Sequence, residues 1–210
     1  MRIFPPLAWR TLVGNGTLLR YRTGDVLLEQ GEPGSHVLAL ASGQVKVVRG
    51  EADGTSFLLA VRRAGDLLGE LAVLDGGARS ATVSALTPCL AHVVSAERFR
   101  AIVRRFDLYE DLLRHAIGRL REGEDIRVEL AGLPAPTCLA RTLLRLATGA
   151  EIPLTQLDLA AATGLSRSAV ATELATLRRA GIIATARRRI VIRAPETLRR
   201  IAWDERPLLD

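Results

Sequence analysis

The chain reads as an α+β protein in three consecutive parts, and three observations carry that reading. Between Thr17 and Val94 apolar residues alternate over short segments broken by glycine turns. From Asp107 to about Gly132 a narrow apolar seam runs between dense charges. Beyond a break at Leu133-Pro134-Ala135-Pro136, helical segments give way to a short apolar hairpin. The parts are residues 1–106, 107–132 and 133–210.

Taken in order, Pro6 to Val13 is predicted helical and is closed by Gly14-Asn15-Gly16. Strands are predicted at Leu18–Tyr21, Val26–Glu29, Val37–Ala41, Gln44–Arg49, Phe57–Arg63, Thr82–Leu86 and Leu90–Val94, with turns such as Gly24-Asp25, Gly43 and Gly65-Asp66 between them. Many short strands with glycine corners argue for a β-sandwich or a jelly-roll-like β-roll. Ser95 is placed to cap a helix from Ala96 to Arg105. In the long segment that follows, Leu113, Ile117 or Ala116, Leu120 and Leu130 keep a 3–4 spacing between charged flanks. That pattern suits a two-helix dimer seam, and also a single helix lying on the barrel. Gly123 interrupts it at a cost of ~1 kcal/mol against Ala. The prolines of Leu133–Pro136 read as a short stiff hinge, and Thr137–Ala147 as the next helix.

Composition narrows the function. With 48% hydrophobic residues the 210-residue chain can bury a real core, and no apolar run approaches the ~20 residues of a membrane span. The N-terminal residues lack a signal-peptide core, so a soluble, cytoplasmic protein without membrane partners is expected. Cys89 and Cys138 form no disulfide framework, and His36, His92 and His115 share no metal-site spacing. No nucleophile–base pair accompanies them, so neither an enzyme nor a required cofactor or metal is expected. Residues 1–133 hold 17 basic and 16 acidic residues, whereas residues 134–210 hold 12 and 7. A basic C-terminal part points to a polyanion, most simply nucleic acid.

Two stretches carry chemistry. In Gly69-Glu70-Leu71-Ala72-Val73-Leu74-Asp75-Gly76-Gly77-Ala78-Arg79-Ser80-Ala81-Thr82 one carboxylate and one guanidinium stand nine residues apart across small residues. Leu71 and Ala72 read as an apolar turn, and Asp75-Gly76-Gly77 as a tight loop. Backbone N–H groups with a two-pronged Arg79 suit a phosphate, and Glu70 suits a hydroxyl donor. A surface turn with a structural Glu–Arg pair has the same residues. In the second stretch, Thr155 caps Gln156–Ala162, Thr163-Gly164-Leu165 turns, and Ser166 caps Arg167–Arg179. The spacing Ala160–x3–Gly164–x5–Val170 is that of a helix-turn-helix. Ile182-Ile183-Ala184 and Ile190-Val191-Ile192, joined through Arg187-Arg188-Arg189, read as a basic-tipped hairpin wing.

The first stretch resembles the phosphate-binding cassette of cyclic-nucleotide-binding domains at Gly69, Glu70, Leu71, Ala72, Arg79, Ser80, Ala81 and Thr82. With the β-roll, the long helix and the winged helix-turn-helix, nearly the whole chain resembles the Crp–Fnr superfamily of bacterial transcription regulators. The resemblance implies a homodimer that binds a pseudo-palindromic site on double-stranded DNA, works with RNA polymerase and senses a cyclic nucleotide, cAMP first. It implies that Arg79 and Ser80 take the phosphate, and that Gly69 and Glu70, beside Leu71 and Ala72, hold the ribose. Cyclic AMP receptors of the family offer hydroxyl residues to the base from the long helix. Here those positions are Gly123 and Glu124, which leaves the base open, as well as a family member acting without a nucleotide. A cyclic-nucleotide module regulating a partner protein is the rival from another class. For DNA, the resemblance places Arg167 as base reader, with Ser168 and Thr172 facing the same groove. Many members carry Glu and Arg or Lys at those last two positions, so the family's best-known operator is not implied. Thr155, Ser166, Arg187, Arg188 and Arg189 are candidates for phosphate contacts, the wing arginines also being readable as solvated surface charge.

Overall fold

The computed structural model describes residues 3–147, 149–186 and 188–203. Two four-stranded antiparallel sheets fold from the alternating segments. One has the order β1 (Thr17–Tyr21), β8 (Cys89–Ser95), β3 (His36–Ser42) and β6 (Leu67–Leu68). The other has the order β2 (Val26–Leu28), β7 (Thr82–Ala85), β4 (Gln44–Gly50) and β5 (Ser56–Arg63). Inward residues of both sheets, among them Leu28, Leu38, Leu40, Val45, Val83 and Ala91, meet as one core. The outer face of the first sheet is covered by helices. Val37 and Ala39 of β3 pack there with Trp9 and Leu12 of α1 (Pro6–Gly14), Val73 of α2 (Glu70–Asp75), and Phe99 and Ile102 of α3 (Ala96–Arg105). β3 is therefore buried on both faces, and Val37-Leu38-Ala39-Leu40 is an unbroken apolar run rather than an alternating one.

Several elements differ from the sequence expectations. The Leu71–Ala72 turn is part of α2, a six-residue helix begun by left-handed Gly69 and ended by left-handed Gly76. Two-residue strands such as β6 are too short to show a period. The long helix α4 (Tyr109–Gly132) starts after Asp107, whose φ of 49° breaks the chain direction. It continues unbroken through Gly123. The expected four-residue hinge is shorter, because Ala135 and Pro136 already belong to α5 (Ala135–Leu146), where a proline in the first turn forfeits no helical hydrogen bond.

The chain divides into two units between Gly123 and Glu124, within α4. In the second unit, β9 (Glu151–Ile152) joins the wing strands β10 (Ile183–Ala186) and β11 (Arg189–Ile192) in the order β10-β11-β9. α5, α6 (Gln156–Thr163), α7 (Arg167–Arg179) and the unforeseen α8 (Pro195–Trp203) lie in the same unit. Its core holds Leu139, Leu143, Leu159, Val170, Leu174 and Leu198, and Arg141 Nε donates to Ala202 O at 2.7 Å, tying α5 to α8. Among the described residues no helix is long and apolar enough to cross a membrane, and no cluster of metal-ligating side chains occurs.

The loop before β3 supports α2 from below. A Cβ at Gly34 would stand 2.3 Å from Ala72 O and 2.9 Å from Val73 N, both backbone atoms that cannot swing aside. Gly34→Ala is therefore expected to lower stability by about 2 kcal/mol, read as a lower urea midpoint with an unchanged m-value.

Candidate functional site

The Gly69–Thr82 stretch is fixed at both ends before any side chain is considered. Gly69 has φ +79°, and a Cβ there would lie 2.4 Å from a terminal nitrogen of Arg79, so only glycine fits both the turn and the neighbour. α2 is anchored by buried Ala72 and Val73, and Arg100 of α3 donates to Val73 O at 2.6 Å. The Arg79 backbone is clipped to the preceding loop, since Arg79 N donates to Glu32 O and Gly31 N to Arg79 O, at 2.8 and 2.9 Å.

The two charged side chains are both buried, Glu70 to 4% exposure and Arg79 to 4%. They do not pair with each other. Arg79 spreads its prongs onto two main-chain carbonyls, Nη1 donating to Gly69 O and Nη2 to His36 O, each at 2.5 Å. Burial lowers the Arg79 guanidinium from its usual value. Burial and the Arg79 charge likewise lower the His36 imidazole. Ser80 and Leu71 are exposed, and Ala72 is buried. The simple structural Glu–Arg pair is thus absent among the described residues.

Glu70 is held from α4 instead. His115 Nε2 lies 3.3 Å from Glu70 Oε1, and an Arg119 terminal nitrogen lies 3.8 Å from the same oxygen. Arg119 also donates from Nε to His115 Nε2 at 3.1 Å and from Nη2 to Leu67 O at 3.3 Å. Burial pushes the Glu70 carboxyl up, but the His115 hydrogen bond and the Arg119 charge more than offset it, leaving the group below the ordinary carboxylate range. One turn on, Glu122 takes both prongs of Arg62 from β5, at 2.7 and 3.2 Å. His115 and Arg119 are functional candidates that sequence reasoning passed over. Their i, i+4 spacing puts both on one face of α4, but nothing in the sequence pairs that face with Glu70. Gly123 and Glu124 are exposed on α4 and bring no hydroxyl.

The first half of α4 is accordingly two-faced. His115, Arg119 and Glu122 engage its own β-roll, while Leu113, Ile117 and Leu120 remain exposed and only Leu112 is buried.

In the second unit the turn forms at Gly164, φ 65°, and Val170 is fully buried against the neighbouring helix. Thr155 and Asp158 cap α6 reciprocally, Thr155 Oγ1 accepting from Asp158 N at 3.1 Å and Asp158 Oδ2 from Thr155 N at 2.9 Å. Ser166 Oγ accepts from Ala169 N at 3.1 Å and bonds Ser168 Oγ at 2.9 Å. Arg167, Ser168 and Thr172 are exposed together at the start of α7. On the wing Arg188 is exposed at φ 57°, and Arg189, also exposed, pairs with Glu151 at 3.0 Å. Arg187 lies outside the described residues.

The comparisons with known proteins match these two units in turn. A cyclic nucleotide-binding domain model matches residues 18–106, and a Crp-like helix-turn-helix domain model matches residues 139–201. The chain is 30% identical over 190 residues to the CRP-like cAMP-activated global transcriptional regulator of Mycobacterium tuberculosis, covering 85% of each chain. It is 29% identical over 187 residues to the Cyclic AMP receptor protein of Thermus thermophilus, covering 87% of each. The solved structure of a CRP-family transcriptional regulator, also from Thermus thermophilus, superposes with a TM-score of 0.74 at 27% identity, over 88% of this chain and 96% of that one. A β-roll with a cyclic-nucleotide cassette, a long helix and a C-terminal helix-turn-helix, shared over this length, make the chain a member of the Crp–Fnr superfamily of transcription regulators.

Proposed function

We propose that the protein is a homodimeric DNA-binding regulator whose β-roll takes a cyclic nucleotide, cAMP first, and whose DNA affinity depends on that ligand. In this reading residues 1–106 form the sensor, 107–132 the dimer helix and 133–210 the DNA-binding domain. The observation that carries it is the pair of buried charges, Arg79 and Glu70, set in one glycine-framed turn. A guanidinium bidentate to a phosphate and a carboxylate accepting from a ribose hydroxyl are the complementary partners, with Ser80 and the cassette backbone assisting. The cAMP named in the two relatives supports the choice of base. The ligand acts only through different affinities for two states of the protein.

A second reading, a regulator that needs no nucleotide, is favoured by the same geometry. Both prongs of Arg79 and one oxygen of Glu70 already have protein partners, and Gly123 and Glu124 offer the base no hydroxyl. Calorimetric titration with cAMP separates the two. On the first reading, Arg79→Ala removes two charge-assisted hydrogen bonds of ~1.5–3 kcal/mol each and raises Kd by about 100-fold or more, while Arg79→Lys keeps the charge but not the two-pronged geometry. No heat with the unaltered protein leaves the second reading.

The exposed seam supports dimerisation through α4. Leu120, 60% exposed in the single chain, supports no core of its own. Leu120→Glu is expected to leave the fold unchanged by circular dichroism and to shift sedimentation from dimer to monomer, with loss of tight binding to a two-half-site operator.

For DNA, exposed Arg167 at the start of α7 has the reach and the planar donors for a guanine edge. Half-sites about 34 Å apart suit two such helices. Arg167→Ala is expected to cost ~1–3 kcal/mol at one base position of each half-site, measured as relaxed specificity in a binding-site selection. Arg188→Ala, a phosphate contact, is expected to weaken all sequences alike and flatten the salt dependence. RNA polymerase is the expected protein partner of the DNA-bound dimer.

A further inference from the structure

His115 Nε2 faces two groups that demand opposite things of it. It lies 3.3 Å from Glu70 Oε1, which needs a donor, and 3.1 Å from Arg119 Nε, which is one. A single ring nitrogen cannot donate to the first and accept from the second. With a proton on Nε2 the imidazole holds Glu70. With its proton on Nδ1 alone, it turns acceptor toward Arg119, and Glu70 Oε1 is left without that donor.

We propose that His115 is a displaceable lock on the cassette, competing with a ligand hydroxyl for the Glu70 carboxylate. The proposal rests on the cyclic-nucleotide reading given above and adds to it a residue outside the cassette and a proton. A ribose 2′-hydroxyl entering the site and the Nε2 proton of His115 seek the same carboxylate, so each weakens the other by the same factor. Removing the imidazole donor therefore raises affinity for the ligand.

The surroundings allow the exchange. His115 and Arg119 line an open cleft of about 580 Å³ between α4, β5 and the Ile3–Pro5 segment, which gives the ring a route to solvent. The charged groups around the ring are Glu70 from α2, Arg62 from β5, Asp66 from the turn before β6, and Asp111, Arg114, Arg119 and Glu122 from α4 itself. The Ile3–Pro5 segment brings none. Arg62 is engaged by Glu122 and Arg114 by Glu110 and Asp111. Glu70, held below the ordinary carboxylate range, is the ionised acceptor that both donors seek. The lock also gives the cassette a mechanical output, because its release occurs on α4.

The test is calorimetric titration of the full-length protein with cAMP and with 2′-deoxy-cAMP, on the natural sequence, His115→Ala and His115→Gln. The expected result is a cAMP affinity about three- to tenfold tighter for His115→Ala than for the natural protein. His115→Gln, whose amide can still donate to Glu70, should stay close to the natural protein, and 2′-deoxy-cAMP should bind all three alike. Equal cAMP affinity in the natural protein and His115→Ala overturns the lock and leaves the effector reading standing. An equal gain of His115→Ala with 2′-deoxy-cAMP overturns the hydroxyl competition. Failure of cAMP to bind any of the three proteins overturns the effector reading and the lock together.

Discussion

A buried carboxylate has to be paid for, and in this protein the compensation for Glu70 comes from another element of the fold. At 4% exposure its charge has little water to solvate it. Within the cassette, Arg79 donates to the Gly69 and His36 carbonyls rather than to Glu70. His115 and Arg119 supply the compensation from α4. Removing one member of such a set leaves the other buried and unpaired, which is why these contacts fix a geometry more than they add stability. The position of α4 on its β-roll and the state of the cassette are consequently one question.

The same requirement explains the two-faced character of α4. A helix bound to its own sheet through apolar packing would bury its leucines there. Here the inward contacts are ionic, through Arg62–Glu122 and the Glu70 set, and among the residues of α4 only Leu112 is buried. Leu113, Ile117 and Leu120 are left exposed by construction. The polar inward face leaves the apolar face of α4 without burial in its own chain, and that face is what the proposed dimer would cover. The seam's free energy is realised only on association, since apolar area gains nothing until it leaves water.

Much of this was legible in the sequence, for physical reasons that differ by element. The strands of the first half follow from period-two alternation and glycine turns. α3, α6 and α7 follow from their caps, since Ser95, Thr155 and Ser166 each accept from the backbone N–H three residues on. α2 reads as a turn in the sequence because its two left-handed glycines carry the turn signal and its six residues are too few for a helical period. α8 escapes the sequence reading although Pro195, Glu196 in the first turn, and buried Leu198 and Ala202 one turn apart spell it. At the site, the cassette residues were readable as a contiguous motif. His115 and Arg119 were not, because their role depends on a contact with Glu70 forty-five and forty-nine positions away that only the packed helix creates.

That non-local contact also bears on how the proposed sensor would respond. A ligand that merely added hydrogen bonds inside the cassette would stabilise it without informing the rest of the chain. A ligand that takes a protein side chain's place must send that side chain elsewhere, and a neighbouring partner lowers the cost of the move. Arg119 Nε, 3.1 Å from His115 Nε2, is such a partner. In the proposed exchange the imidazole passes from one partner to another on the same side of α4, so its cost is the difference between two contacts rather than the loss of one.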